Sequence, residues 1–141
     1  MSLALLSDLH NADPAPVISS LRSRRLSLIC ITGDVLYGSR PEEDRSPLET
    51  HTNVLPFLAA CASLAPSFMS LGNHEWMVDA TDLTNLSSTG VVVLDNTYQS
   101  TSVDSKEVIL AGLTSGYVTD YRRFNKEFPR ASPIQKIERK E

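Results

Sequence analysis

Three short apolar runs, Leu3 to Leu6, Leu26 to Ile31 and Phe68 to Leu71, set the frame of this chain. None has the polar alternation of a half-exposed strand, so each predicts a strand covered on both faces, as in a parallel sheet. The strands are predicted over Leu3 to Ser7, Leu26 to Thr32 and Ser67 to Leu71. Between the first two, Asp13 as N-cap and Pro14 at the first helical position open a helix expected to run to about Arg25. Its Val17, Ile18 and Leu21 recur at the spacing that packs one helix face on a sheet. Strand, helix and parallel strand then form a right-handed crossover.

Gly33 to Arg45 reads as a loop, and Ser46, Pro47, Leu48 and Glu49 form a capping-box pattern that begins a second helix. That helix continues through Val54, Leu55, Leu58, Ala59 and Ala62, with Pro56 expected to kink or split it. Thr81 to Leu86 predicts a short helix closed before Gly90 by a left-handed stop. Val91 to Leu94 and Val108 to Leu113 are the remaining predicted strands, separated by a polar turn over Gln99 to Ser105. After Gly116, the aromatic residues Tyr117, Tyr121, Phe124 and Phe128 recur at helical spacing and predict an amphipathic helix ending before Pro129, its stripe serving core packing. The pattern as a whole is α/β.

Each of the first three strands runs directly into a cluster of polar residues: Ser7-Asp8-Leu9-His10, Thr32-Gly33-Asp34-Val35 and Gly72-Asn73-His74-Glu75. In open α/β sheets ligands bind at that end of the strands. On extended backbone, residues two apart project to the same side, so Asp8 and His10 can converge on one ion. Gly33 allows a tight turn ahead of Asp34. Carboxylates and a histidine gathered at one sheet edge without a cation would repel or lose hydration, so the set reads as metal chemistry. Its imidazole, carboxylate and amide donors suit manganese, iron, zinc or nickel alike. His51 matches no motif and is expected to be an exposed polar residue of the second helix. A D-x-D nucleophile is ruled out because position 10 is His, and an H-E-x-x-H zinc site because position 78 is Val.

The three blocks, in this order and each after a strand, resemble the calcineurin-like metallophosphoesterases, whose signature runs D-x-H, G-D and G-N-H-D/E. The likeness continues through Gly90 to Asn96 and Val108 to Thr114, covering Leu3 to about Ser115. The resemblance implies a two-sheet sandwich flanked by helices, of which this chain supplies mainly the first sheet, so the fold expected here is a partial sandwich, mainly one mixed sheet with flanking helices. It implies hydrolysis of a phosphate ester at two divalent ions. Asp8 and His10 would bind the first ion, Asp34 would bridge both, and Asn73 would bind the second through its amide oxygen. His74 would contact the phosphate or protonate the leaving group, with Glu75 or a neighbouring acid orienting its ring. Two divalent ions against Asp8 and Asp34 leave a local charge of about +2, which suits a phosphate anion. Tyr37, Arg40 and Arg45 of the following loop are candidates for phosphate contact.

The family completes its site with a further lone His and a G-H-x-H block, whereas the histidines here are His10, His51 and His74. The chain is therefore read as a single domain over residues 1–141, the N-terminal half of a metallophosphoesterase, with a weak second metal site. The alternative is a non-catalytic half-domain that binds one metal weakly or needs a partner chain. Apolar sheet surface left uncovered by such a half would favour self-association.

A chain of 141 residues has the size of one domain, and 41% apolar with 21% charged residues is ordinary for a globular protein. A net charge of −4 gives no reason to expect nucleic acid or acidic membrane as a partner. No run is long enough to cross a bilayer, and Ser2-Leu3-Ala4-Leu5-Leu6 lacks the basic flank of an export signal, so a cytoplasmic product is expected. Relatives in the family it resembles can carry an N-terminal anchor or export signal, and a start cut short of one would hide a different location. Cys30 and Cys61 lack C-x-x-C spacing and are expected as reduced, buried thiols. Arg22, Arg24 and Arg25 read as a solvated helix end favoured by the helix dipole.

Overall fold

A computed structural model describes residues 1–37 and 47–124, with side chains to Asp120. Strands β1 (Leu3–Leu6), β2 (Leu28–Ile31), β3 (Ser67–Ser70) and β4 (Val92–Leu94) form one parallel sheet in chain order. Leu5 stands opposite Cys30, Cys30 opposite Phe68, and Phe68 opposite Val92. Because each step moves one strand in the same direction, right-handed crossovers put every connecting helix on one face. Ile18 and Leu21 of α1 (Ala15–Arg22), Phe57, Leu58 and Cys61 of α3 (Val54–Leu64) and Leu86 of α4 (Ala80–Ser88) accordingly share one core with Ile29, Ile31 and Met69.

The other face is partly covered by an antiparallel hairpin, β5 (Thr97–Val103) and β6 (Lys106–Gly112), which forms its own two-stranded sheet. Leu28, Phe68 and Leu94 meet Val103 there in a second core. The first sheet is thus wholly parallel and the antiparallel pair belongs to a second layer. Most of the expected turn over Gln99 to Ser105 is strand β5. The turn itself is Asp104 and Ser105, with φ of 49° and 63°, the left-handed pair that matches hairpin twist. Coverage stops short of β1, where Leu3 and Leu5 remain 52% and 66% exposed on the face they share with Leu28 and Cys30.

Helix α1 ends at Arg22, short of Arg25, and Asp13 accepts the Ala15 N–H at 3.0 Å across its start. The second helix splits into α2 (Pro47–Thr50) and α3, but the break lies upstream of Pro56. Pro56 occupies the first turn of α3, where its missing N–H leaves no helical bond unmade. Ser46 lies outside the described residues. His51 sits at the break and is buried, its Nδ1 2.6 Å from the Pro47 carbonyl, which overturns the expected exposed position. Its ring closes the end of α2, a role that helical spacing does not reveal.

Gly90 stops α4 with φ of +93°, as expected. Helix α5 (Gly116–Phe124) buries Val118, whereas Tyr117 is 62% exposed, so core packing fails for the first aromatic residue of that stripe. The side chains of Tyr121 and Phe124, and all of Phe128, lie outside the described residues. Among the described residues no helix is long and apolar enough to cross a membrane.

Candidate metal centre

Beyond the strand ends, the chain segments after β1 and β2 stay paired. The N–H groups of Asp8, His10 and Asn11 donate to the carbonyls of Gly33, Asp34 and Val35 at 3.4, 3.1 and 2.9 Å. The backbone there is left-handed, with φ of 58° at Asp8, 49° at His10, 55° at Asn11 and 55° at Asp34. Side chains with a Cβ occupy this region at a cost of about 1–3 kcal/mol each, and such residues gather at functional sites. This corrects the expectation of extended backbone from Asp8 to His10. Their side chains still meet, with Asp8 Oδ1 3.3 Å from His10 Nε2. A reciprocal pair holds the loop in place: Asn53 donates its backbone N–H to Asn11 Oδ1 at 3.0 Å and its side-chain amide to the Asn11 carbonyl at 2.9 Å. That ties the β1 loop to the start of α3.

Under the β2 and β3 loops lies Glu75, which has no solvent exposure. Its carboxylate accepts four backbone N–H bonds, from Gly72 at 2.7 Å, Asp34 at 2.8 Å, Val35 at 2.9 Å and Leu36 at 3.1 Å. Burial pushes the Glu75 carboxyl up, and the Asp34, Leu36 and Gly72 amides pull against it. Four backbone N–H donors make this a nest for an anion, so the ionised carboxylate is the form the surroundings fit. The expected role of Glu75 in orienting the His74 ring is therefore overturned. The sequence signal for its burial is the apolar triplet Trp76-Met77-Val78 that follows it.

The His74 ring is oriented by a carbonyl instead. Its Nδ1 lies 2.7 Å from the Tyr37 backbone oxygen, a contact that requires the proton on Nδ1 and leaves Nε2 as the free nitrogen. The His74 backbone N–H donates to Asp34 Oδ1 at 3.0 Å, and the His74 and His10 rings meet edge to face with centroids 4.5 Å apart. His10, Asp34 and His74, each half-buried, bring one potential ligand atom apiece within 4.8 Å of one another. Asp8 stands outside this trio, with its carboxylate on His10 and its side chain 65% exposed. The Ser7 hydroxyl, then His10, hold the Asp8 carboxyl below the usual carboxylate range. Asn73 is exposed at the start of a 3₁₀ turn (Asn73–Glu75) between β3 and α4. The Tyr37 ring is 69% exposed and lies edge-on to His10 at 6.2 Å. Arg40 and Arg45 lie outside the described residues.

Donors about 2.0–2.2 Å from a common ion stand roughly 3 to 4.4 Å apart, so the trio is within side-chain adjustment of a shared divalent ion. Two imidazoles and a carboxylate are the donors a transition metal takes. Both cysteines are free and neither joins the cluster; burial pushes the Cys61 thiol up to about 11. Comparison with curated proteins returned no match. A family model described as calcineurin-like phosphoesterase matches residues 1–139, nearly the whole chain, in agreement with a parallel sheet whose strand ends gather His10, Asp34 and His74. The chain belongs to the calcineurin-like phosphoesterase family.

Proposed function

We propose that this protein is a metal-dependent phosphoric ester hydrolase whose centre is assembled from the loops after β1, β2 and β3. The observation that carries the reading is the convergence of His10, Asp34 and His74 on one small volume at the strand ends. Asp8 and His10 serve as ligands of a first ion, Asp34 as the shared carboxylate and Asn73 as a ligand of a second ion. His74 presents Nε2 to the phosphoryl group, held at that angle by the Tyr37 carbonyl. Manganese, iron, zinc or nickel in this place would neutralise the phosphoryl oxygens and activate a water molecule.

A second ion would have only Asp34 and Asn73 from the set named here, because the chain holds no histidine after His74. That observation favours the second reading, a non-catalytic chain that binds at most one ion weakly or needs a partner chain to complete the site. Self-association through the bare β1 face at Leu3 and Leu5 is part of the same reading, and light scattering tests it. The deciding experiment is manganese titration by calorimetry alongside hydrolysis of an aryl phosphate. Turnover with two sites filled supports the hydrolase. One weak site without turnover leaves the non-catalytic reading.

A further inference from the structure

The Glu75 hydrogen bonds join two chain segments at a single carboxylate. One oxygen, Oε2, receives the N–H of Asp34 from the β2 loop and that of Gly72 from the β3 loop, and Oε1 receives those of Val35 and Leu36. Val35 and Leu36 are each 1% exposed, so solvent does not replace this acceptor. We propose that Glu75 is a positioning residue that sets the metal pocket in its binding geometry before an ion arrives; this rests on the phosphoesterase reading above.

Asp34 is held from every side. Its N–H is taken by Glu75, its carbonyl receives the His10 N–H at 3.1 Å, and its Oδ1 receives the His74 N–H at 3.0 Å. A residue with φ of 55° leaves the left-handed region unless its neighbours over-determine it. Glu75 supplies that constraint through the amide of Asp34 and the two that follow. Its bond to Gly72 then fixes the β3 loop against the same point, which places His74 beside Asp34. The carboxylate never reaches the ion. It acts by holding Asp34, a ligand, and the loop that carries Asn73 and His74.

A residue that only stabilises the fold would leave the bound ion unchanged, so the ion is the probe. Glu75→Gln keeps the size but turns an NH₂ group toward two amide donors, whereas Glu75→Asp keeps both oxygens and draws them back by one methylene. In folded variants, judged by circular dichroism, cobalt(II) titration should show Glu75→Gln weakened on the order of ten- to a hundredfold. Its cobalt absorption band should be altered, with Glu75→Asp intermediate. In the metal-free wild type, the amides of Asp34, Val35, Leu36 and Gly72 should exchange with deuterium as slowly as those of β2. A folded Glu75→Gln with wild-type cobalt affinity and spectrum overturns the positioning role. So does loop-like exchange of the four amides, which is readable even where neither variant folds. A wild-type protein that takes no cobalt overturns the metal reading itself and this proposal with it, whereas equal binding by wild type and variant overturns the positioning role alone.

Discussion

Gly33 and Gly72 face each other across the β2 and β3 loops with no space for a side chain on either. A Cβ on Gly33 would strike the backbone of Gly72, and one on Gly72 would strike the Asp34 carboxylate. Gly33 also has φ of +90°, where any side chain is strained. Gly33→Ala should therefore destabilise the fold by roughly 2–3 kcal/mol or more, read from urea denaturation. Gly72→Ala has ordinary φ and should act mainly by displacing Asp34. Cobalt affinity should fall further than stability does, and equal losses in both would contradict that division.

Asp34 is the half-buried carboxylate of the trio and is bonded to both flanking loops, through its carbonyl to the His10 N–H and through Oδ1 to the His74 N–H. Asp34→Asn keeps the shape and removes the charge that balances a cation. If the ion contributes several kcal/mol to the transition state, turnover of an aryl phosphate at saturating manganese should fall by about a hundredfold or more. Retained turnover in a folded Asp34→Asn would remove this residue from the centre.

His10 and His74 lie ring to ring but are assigned different work. His10→Ala should lose the ion, seen as a lost calorimetric signal on manganese titration. His74→Ala should keep an ion and lose about 10²–10⁴ in turnover, the range for a positioned proton donor or phosphate contact. Loss of the ion in both variants would instead make His74 a ligand, a role its free Nε2 also permits.

The parts of this site that a sequence reveals are those encoded locally. Buried strands leave unbroken apolar runs, and the residues just past them are the ones the sheet presents, so His10, Asp34 and His74, which the structure brings together, could be read off directly, along with Asp8 beside His10. The helix stop at Gly90 is equally local. Strand β5 escaped because its residues from Thr97 to Ser100 are exposed and polar, and pairing with β6 rather than apolar pattern makes it a strand. Glu75 was misassigned for a different reason. Its partners lie about forty positions away at Asp34, Val35 and Leu36 and are backbone amides, which carry no residue identity. His51 likewise caps a carbonyl at a helix break that the periodicity of the segment does not mark.

Cys61 provides a test of the core beneath the site. It is fully buried on α3, and burial pushes its thiol from 9.0 up to about 11. The folded state thus keeps its proton to higher pH than the unfolded state does. The stability this contributes is complete below about pH 9 and is lost as pH rises toward about 11, by roughly 2–3 kcal/mol at 1.36 kcal/mol per pKa unit. Urea denaturation of wild type and Cys61→Ala at intervals from pH 8 to 11 isolates the effect, since the remaining titrating groups are common to both. The variant should start lower, having lost packing, and the gap between the two should narrow as pH rises. A constant gap would mean that the thiol is more hydrated than its position in the core implies. Consistent with burial, Cys61 should also resist alkylation in native protein at pH 8 and react once urea opens the fold.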